Sequence, residues 1–252
     1  MAEDTKKIAF VSGANRGLGF ETSRELGEAG VHVIMGAREK ESGEKAAGQL
    51  REKGLQVEAF KIDVTLPEDH LALFEYLDQK FRKLDILVNN AGVSLEGSVS
   101  DLGPHNTVLT VPVDTIKKTF DINFFSMLEL TKILLPLLRN AQAARIVNVA
   151  SILGSLTVHA DPKTTSVSDH KSFAYGSSKT LINSFTIYLA HALRDTPIKV
   201  NSAHPGWVKT DLGGSGASLE LSEGGKTSAQ LALLDENGPT GGFFHLGEVV
   251  PW

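Results

Sequence analysis

The stretch KIAFVSGANRGLGFE, residues 7–21, places a short apolar run before a glycine-rich turn and an amphipathic run. The apolar run shows little alternation, which is typical of a strand buried on both faces of a parallel sheet. Gly13, Gly17 and Gly19 then follow in a G-x-x-x-G-x-G pattern. Glycine permits left-handed backbone and close approach to a phosphate, and the start of the next helix offers N–H groups to it. The stretch predicts a dinucleotide-binding turn; the alternative is a tight turn without a ligand.

The rest of the chain repeats this alternation of apolar and amphipathic runs. Strands are predicted at 7–12, 32–36, 57–62, 85–89, 145–150, 199–204 and 241–245, and helices at 17–29, 39–53, 66–81, 115–138, 174–193 and 223–233. Repeated strand–helix–strand units predict an α/β fold. We expect a single Rossmann-type doubly wound domain over 1–252, with a seven-stranded, mainly parallel sheet flanked by helices on both faces.

The sequence also predicts three local features. Thr65 and Glu68 have the spacing of a capping box at the start of the third helix. The segments 94–113 and 154–171 are long, polar and rich in turn residues. Long loops in compact domains are usually functional, so we predict insertion loops at both places.

The composition excludes several classes of protein. The net charge of −5 gives no basic field for nucleic acid or an anionic membrane, so neither partner is expected. The chain has no cysteine, which excludes disulfides and thiolate chemistry. Together with the mixed-charge start MAEDTKKIAF, which does not resemble a targeting segment, this indicates a cytoplasmic location. The eight histidines lack H-E-x-x-H spacing, so no metal site is expected.

Two arginines near the end of the second strand bear on which dinucleotide binds. NAD-binding folds typically place an acidic residue there for the ribose 2′-OH. Here MGAR supplies Arg38 instead, Gly36 leaves space, and Arg16 lies in the glycine-rich turn. A guanidinium matches the geometry of a 2′-phosphate. The pattern therefore favours NADP(H) over NAD(H); the alternative is that Arg38 is a solvated residue at the start of a helix.

Two tyrosines stand four residues before a lysine, a spacing that puts both side chains on one helix face. The pairs are Tyr175 with Lys179 and Tyr76 with Lys80. Spacing alone does not separate a catalytic pair from an ordinary one. The neighbouring motifs must decide between them.

Seven motifs occur in a fixed order along nearly the whole chain. They are GANRGLG (13–19), DV (63–64), NNAG (89–92), DIN ending at Asn123, VNVAS ending at Ser151, YGSSK (175–179) and HPGWVKTD (204–211). On these motifs the chain resembles the short-chain dehydrogenase/reductase family. Within that family it is most similar to NADPH-dependent carbonyl reductases and monoterpenoid ketone reductases.

The resemblance implies roles for residues at the matching positions. It assigns a catalytic tetrad of Asn123, Ser151, Tyr175 and Lys179. It implies cofactor contacts along the turn, beside the adenine, in the ribose region and at the nicotinamide half. Those residues are Gly13, Asn15, Arg16, Gly17, Leu18, Gly19, Arg38, Asp63, Val64, Asn89, Ala91, Gly92, Tyr175, Lys179, Pro205, Gly206, Val208 and Thr210. Leu153 and Trp207 are expected in the substrate pocket.

The chemistry of the four residues suits carbonyl reduction. A free phenol is a poor proton exchanger near neutral pH, and a nearby ammonium lowers its pKa. Lys179 is therefore expected to activate Tyr175 as general acid/base and to bind the nicotinamide ribose. Ser151 is expected to donate a hydrogen bond to the substrate oxygen, and Asn123 to hold a water that links Lys179 to solvent. Tyr76 and Lys80 lack such neighbours, which predicts a solvated helix pair.

The spacing from Ser151 to Tyr175, 24 residues, is longer than in most members of the family. Carbonyl reductases of the resembling type carry an insertion here, which in monomeric relatives covers the helices that others use to oligomerise. The resemblance therefore implies a monomer or weak homo-oligomer. The insertion also flanks the mouth of the predicted site. The loop after Asp211 is short and rich in glycine, which indicates an open pocket.

These observations predict an NADPH-dependent oxidoreductase that reduces ketone or aldehyde carbonyls of small molecules to alcohols, with Tyr175 as general acid/base. One alternative is an NAD(P)-dependent dehydrogenase of one dedicated metabolite alcohol. The other is a non-catalytic NADP-sensing protein. A sensor has no need of Tyr175 and Lys179 together, so the motifs favour an enzyme.

Overall fold

The fold was analysed in a computed structural model, which describes residues 6–97, 107–161, 163 and 172–252. The strands are β1 (Ile8–Val11), β2 (His32–Ala37), β3 (Val57–Lys61), β4 (Ile86–Asn89), β5 (Arg145–Val149), β6 (Lys199–Ala203), β7 (Phe243–His245) and β8 (Glu248–Val249). They form one sheet in the order β3-β2-β1-β4-β5-β6-β7-β8. Neighbouring strands are parallel except for β7 and β8, which are antiparallel.

The helices connect the parallel strands. They are α1 (Gly17–Glu28), α2 (Lys40–Arg51), α3 (Pro67–Phe81), α4 (Val113–Phe120), α5 (Ser126–Asn140), α6 (Leu156–Ala160), α7 (Phe173–Ala192), α8 (Leu221–Gly224) and α9 (Lys226–Ala232). A π-helical turn, Asp121–Phe125, joins α4 to α5. A 3₁₀ turn, Ile152–Gly154, follows β5. Among the described residues no helix is both long and apolar enough to cross a bilayer.

Each face of the sheet is covered by a separate layer of helices. On one face α1, α2 and α9 bury residues such as Leu26, Leu50 and Leu231 against the strands. On the other face α3, α5 and α7 do the same with residues such as Leu77 and Leu134. Apolar side chains cover both faces of the central strands, which explains why β1 and β4 are buried throughout and why both are apolar except for Asn89 at the end of β4.

The predicted α/β fold with helices on both faces is confirmed, and all seven predicted strands are present. The predicted number of strands was one too few, because β8 is only two residues long. It follows a tight reversal in which Leu246 and Gly247 have positive φ angles of 48° and 88°. A strand of this length is too short to show a repeat of apolar and polar residues that could be recognised in the sequence.

Three predicted helix features differ from the structure. The helix predicted over 115–138 is interrupted by the π turn, and the one over 223–233 is divided at Gly225. The capping box was wrong, because Thr65 is not the residue next to α3 and no side chain caps that helix; the Thr65 hydroxyl donates to the Asp63 carboxylate at 2.7 Å. Leu66 precedes the helix, which begins at Pro67.

The two predicted insertion loops lie partly outside the described residues. In the first, 98–106 are not described, and 107–112 form a turn before α4. In the second, 162 and 164–171 are not described, and the preceding part contains α6.

The order of the strands reverses between β1 and β4. In an open α/β sheet, ligands bind outside the carboxyl ends of the strands at such a switch point. The segments that leave this edge are the glycine-rich turn after β1, residues 90–97 after β4, Ser151 after β5 and His204 after β6. The fold therefore brings most of the predicted site residues to one edge.

Candidate active site

The glycine-rich turn has the backbone that its glycines predicted. Gly13 and Gly17 have positive φ angles of 62° and 59°. A Cβ atom on Gly19 would lie 2.4 Å from the carbonyl oxygen of Gly13, so only glycine fits there. Arg16 precedes α1 and provides no side-chain cap for it. The first N–H groups of α1 are thus available to a phosphate, which is an observation in favour of a dinucleotide at this turn.

Residues 90–97, which follow β4, form a segment that we call the β4 loop. It is tied to the glycine-rich turn, because the Ser12 hydroxyl accepts hydrogen bonds from the N–H groups of Asn90 and Ala91, both at 3.0 Å. At Gly92 a Cβ atom would lie 3.4 Å from Asn123 Oδ1 and 3.5 Å from Lys179 Nζ. The loop therefore runs from the predicted cofactor turn to two of the predicted catalytic residues.

Asn123 lies in the π turn and is only 1 % exposed. Its Oδ1 accepts from the Val93 N–H at 2.8 Å, and its Nδ2 donates to the Val93 carbonyl at 2.9 Å. The same Nδ2 donates to the Ser178 hydroxyl at 3.0 Å. The side chain is thus committed to the β4 loop and to α7. π turns are frequent at functional sites, and this one directs Asn123 between the two.

Ser151, Tyr175 and Lys179 converge beside the carboxyl end of β5. Ser151 precedes the 3₁₀ turn in extended backbone, where its hydroxyl accepts from the Leu153 N–H at 3.2 Å and its interaction with the Tyr175 phenol lowers the pKa of that phenol. Lys179, one turn further along α7, places Nζ 5.5 Å from the centroid of the Tyr175 ring. That Nζ donates to the Val149 carbonyl at 2.8 Å. The structure therefore brings three predicted catalytic residues together.

The approach between α7 and the 3₁₀ turn depends on two glycines. A Cβ atom on Gly154 would lie 2.6 Å from the carbonyl carbon of Lys179. One on Gly176 would lie 2.9 Å from the Leu153 carbonyl oxygen. Because both positions lack side chains, the backbone of α7 rests directly on the turn that follows Ser151.

Burial sets the proton affinities at this site. It raises the pKa of Tyr175 to about 12, although the hydrogen bond with Ser151 acts in the opposite direction. Burial also lowers the pKa of Lys179 to about 8. The sequence predicted a lowered phenol pKa from the nearby ammonium. In the structure the cost of desolvating the phenolate is larger, so the shift has the opposite sign.

A cleft of about 190 Å³ opens in front of Ser151 and Tyr175. Its lining is Leu18, Ala150, Ser151, Ile152, Leu153, Tyr175, His204, Pro205, Gly206, Trp207, Val208, Thr210, Leu212 and Gly213. Both predicted pocket residues, Leu153 and Trp207, are among them. A second hollow, of about 260 Å³, lies away from these residues between α2 and β3.

The segment after β6 forms one wall of this cleft. Gly206 has a φ of 87°, and the Trp207 indole N–H donates to the Gly213 carbonyl at 2.9 Å. The chain returns at Leu219, whose N–H donates to the Trp207 carbonyl at 2.9 Å. The glycine-rich loop after Asp211 is therefore folded back onto the cleft wall.

His204 is a neutral imidazole in the same cleft. Burial and the neighbouring His245 lower its pKa to about 3. Its Nδ1 accepts a hydrogen bond from the Ile152 N–H at 3.3 Å. The unprotonated ring thereby joins the end of β6 to the backbone that follows Ser151.

The predicted 2′-phosphate arginines have different partners. Arg16 forms an ion pair with Asp211 at 2.6 Å, and both side chains are exposed. Arg38 lies 3.8 Å from Glu39, also at the surface. Asn15 donates from Nδ2 to the Ser42 hydroxyl at 3.2 Å, in the first turn of α2. Arg16 therefore extends toward the segment after β6 and not toward Arg38.

The remaining predicted cofactor positions hold their own loops in place. The Asp63 carboxylate accepts from the Thr65 N–H at 3.0 Å. The Val64 carbonyl accepts from His70 Nε2 at 2.7 Å. Asn89 is buried and donates from Nδ2 to Asn148 Oδ1 at 2.8 Å. Among the described residues no group of three or more His, Cys, Asp or Glu side chains could hold a metal ion.

The second tyrosine–lysine pair lies elsewhere, on α3 beside the edge strand β3. Tyr76 and Lys80 both donate to the Glu58 carboxylate, and Lys80 Nζ lies 3.1 Å from the phenol oxygen. Tyr76 packs on Phe60 with ring centroids 5.1 Å apart. The prediction of a solvated pair was right for Lys80 and wrong for Tyr76, which is half-buried.

Sequence reasoning missed three residues that shape the site. They are Ser12, which ties the β4 loop, His204, and Glu96, whose carboxylate accepts from backbone N–H groups of α7. His204 lies within the HPGWVKTD motif and was quoted without a role. Ser12 and Glu96 act on segments about 80 residues away in the chain, so no local pattern marks them.

Comparison with known proteins gives a consistent result. The sequence profile of the family described as short chain dehydrogenase matches residues 7–218. An NADPH carbonyl reductase of Mus musculus is 31% identical, with 98% of this chain and 99% of that protein covered. A (+)-neomenthol dehydrogenase of Arabidopsis thaliana is 29% identical over 99% of both chains. The solved structure of salutaridine reductase from Papaver somniferum matches with a TM-score of 0.80 at 27% identity, over 95% of this chain and 99% of that one.

The buried Lys179 predicts a pH dependence of stability. The pKa of Lys179 is about 8 in the folded protein, against a reference value of 10.5 that applies to the unfolded chain. Between pH 8 and pH 10.5 the unfolded chain therefore binds more protons than the folded protein. The free energy of unfolding should therefore rise by about 2 kcal/mol from pH 8 to pH 10 through this group. The raised pKa of Tyr175 acts above about pH 10, outside this window. Urea unfolding of the wild type and of Lys179→Met isolates the effect, because only the wild type should show it; parallel pH curves would contradict it.

Proposed function

The chain belongs to the short-chain dehydrogenase family, and we propose that it is an NADPH-dependent reductase of ketone or aldehyde carbonyls. Membership makes it an oxidoreductase that uses a nicotinamide cofactor. The observation that carries the proposal is the convergence of Ser151, Tyr175 and Lys179 on an apolar cleft beside the glycine-rich turn. The same convergence supports turnover and not a sensing role.

The described residues fit a nicotinamide dinucleotide. The uncapped start of α1 and the left-handed glycines suit its phosphates. The bare backbone of Gly92 beside Lys179 Nζ leaves room for a ribose. Bound there, the cofactor would supply the hydride for the carbonyl carbon. The positions that we propose to hold it are those of the turn, Asp63, Val64, Asn89, Ala91, Gly92, Lys179 and the segment 205–210.

Tyr175 is proposed to give the proton that completes the reduction. A pKa of about 12 keeps its phenol protonated near neutral pH, which is the form that a proton donor needs. The proton would pass from the phenol to the carbonyl oxygen of the substrate. The reduced substrate would then leave as the alcohol. Lys179, with Nζ 5.5 Å from the ring centroid, would stabilise the negative charge that remains on the phenol.

Ser151 and Asn123 are proposed to support this transfer in different ways. The Ser151 hydroxyl, which lines the cleft together with the Tyr175 phenol, would donate to the substrate oxygen as charge develops on it. The Asn123 side chain is bonded to Val93 and Ser178, so a water that links Lys179 to solvent is not proposed to depend on its amide nitrogen. The side chain instead keeps the β4 loop against α7.

The lining of the cleft supports an apolar carbonyl substrate. Leu153, Trp207 and Leu212 form its walls, and His204 contributes a neutral ring. The mouse and Arabidopsis relatives are named for carbonyl and monoterpenoid alcohol chemistry, which agrees with this class.

The preference for NADPH is proposed to rest mainly on Arg38. Its guanidinium is exposed and lies 3.8 Å from Glu39, a separation at which a surface ion pair contributes little. It could therefore turn to a 2′-phosphate at small cost. The ion pair of Arg16 with Asp211 makes Arg16 the weaker candidate for that contact.

Replacement of Tyr175 by phenylalanine tests the proposed acid. Tyr175→Phe should lower kcat by about 10²- to 10⁴-fold, because the proton donor is removed, while NADPH still binds. Oxidation of NADPH, followed at 340 nm with a panel of ketones and aldehydes, measures the effect.

Tyr76→Phe is the matched control, since Tyr76 also stands four residues before a lysine. It should keep kcat and lower the free energy of unfolding by about 1 kcal/mol through loss of the bond to Glu58. Equal turnover by wild type and Tyr175→Phe would overturn the proposed role. An inactive wild type on the whole panel would overturn the proposed function.

Replacement of Arg38 by glutamine tests the cofactor preference. Arg38→Gln should weaken NADPH binding about 10- to 100-fold by loss of a charge-assisted contact and leave NADH binding unchanged. Fluorescence titration of each cofactor gives both dissociation constants. Arg51→Gln, at the other end of α2, should change neither; an unchanged ratio of the two constants in Arg38→Gln argues against the assignment.

We further propose that the protein is a monomer or weak homo-oligomer and acts in the cytoplasm. The long segment between Ser151 and Tyr175 supports the proposed oligomeric state. The absence of cysteine supports the proposed location. Light scattering on protein recovered from the cytosolic fraction of its own cells addresses both. A stable tetramer contradicts the first, and recovery only from membranes contradicts the second.

A further inference from the structure

The helix that carries Tyr175 and Lys179 lacks a local cap. Ser172 precedes α7, but its side chain makes no capping hydrogen bond. The Ser172 hydroxyl is buried and has no partner among the described residues. The N–H groups of the first turn of a helix have no intrahelical acceptor, so they need one from elsewhere.

Glu96 supplies that acceptor from the β4 loop. One carboxylate oxygen accepts from the Ala174 N–H at 3.2 Å, and the other accepts from the Tyr175 N–H at 2.8 Å. A carboxylate at this end of a helix is also favoured by the helix dipole. One of the two capped groups is the backbone of Tyr175 itself.

The β4 loop connects this cap to the rest of the site. Its Asn90 and Ala91 hold the Ser12 hydroxyl below the glycine-rich turn, and its Val93 exchanges two hydrogen bonds with Asn123. Gly92 of the same loop lies beside Lys179 of α7, and Glu96 carries the contact on to the start of that helix. A local cap at Ser172 would fix the start of α7 only to its own preceding residue. Glu96 instead fixes it to the loop that borders the cofactor turn.

We propose that Glu96 is a positioning residue, which sets the depth of Tyr175 relative to the cofactor turn and Asn123. This inference rests on the proposed function of Tyr175 as proton donor. Proton transfer and hydride transfer to one carbonyl group require both donors at defined positions, and displacements of about 1 Å cost up to about 10²-fold in rate. The contribution of Glu96 should therefore appear in kcat and not in cofactor affinity.

Asp85 offers a matched control at the opposite end of β4, just before that strand begins. Its buried carboxylate accepts from the Ile8 N–H at 2.8 Å, a bond between segments 77 residues apart, as Glu96 does across 78 and 79 residues. It also pairs with Lys83 at 3.0 Å. Both carboxylates thus hold a distant backbone N–H, but only Glu96 holds the catalytic helix.

The test compares Glu96→Ala, Glu96→Gln and Asp85→Ala, with Asp85→Asn used if Asp85→Ala does not fold. Glu96→Ala should lower kcat about tenfold and leave the KM of the ketone and the Kd of NADPH unchanged. Glu96→Gln should recover part of the rate, because its amide oxygen still accepts from the Tyr175 N–H. The Asp85 variant should lose thermal stability but keep kcat.

Hydrogen exchange gives a second measurement that needs no turnover. Amides of residues 173–178 should exchange faster in Glu96→Ala than in the wild type or in the Asp85 variant. The proposal is overturned if Glu96→Ala keeps the kcat of the wild type, if the Asp85 variant loses as much, or if the exchange is unaltered. Should the wild type reduce no carbonyl compound, the proposed function fails, and the exchange comparison alone decides whether Glu96 holds the helix.

Discussion

The burial of Lys179 beside Tyr175 is the constraint on which the site depends. Lys179 is 4 % exposed, and its ammonium has the Val149 carbonyl as its hydrogen-bond acceptor and the Tyr175 ring beside it. Water would stabilise the Lys179 ammonium, and a Tyr175 phenolate, better than this interior does. The surrounding chain must therefore hold both groups rigidly, and the contact of α7 with the 3₁₀ turn through Gly154 and Gly176 provides this.

A ladder of buried polar side chains extends the same support through the sheet. Asn89 donates to Asn148, Asn148 donates to Thr186 at 2.9 Å, and Thr186 shares a hydrogen bond of 2.8 Å with Ser202. The ladder joins β4, β5, α7 and β6. Buried hydrogen-bonded chains of this kind favour one register of helix against sheet, because any slip would leave further buried groups without partners. The position of α7 is thus set at Thr186 by the ladder and at its start by Glu96.

Much of this arrangement could be predicted because its determinants are local. Unbroken apolar runs marked the parallel strands, and glycine spacing marked the turn after β1. The failures have other causes. The helix begins after Leu66, one residue beyond Thr65, and the phenol pKa rose because the extent of burial is a property of the packed chain. Glu96 and its partners are separated by 78 and 79 residues that include α4, α5, β5 and α6, a distance over which a one-dimensional pattern carries no information.

The short strand β8 has a consequence for how the molecule behaves at high concentration. It occupies the hydrogen-bonding side of β7 that would otherwise be open, and it is itself only two residues long and bears Glu248. At the other margin, β3 carries Glu58 and Lys61. Edge strands that are short or carry charged side chains are poor templates for pairing with a strand of another molecule. Both edge strands thereby protect the sheet against edge-to-edge aggregation, and this protection does not depend on the cleft.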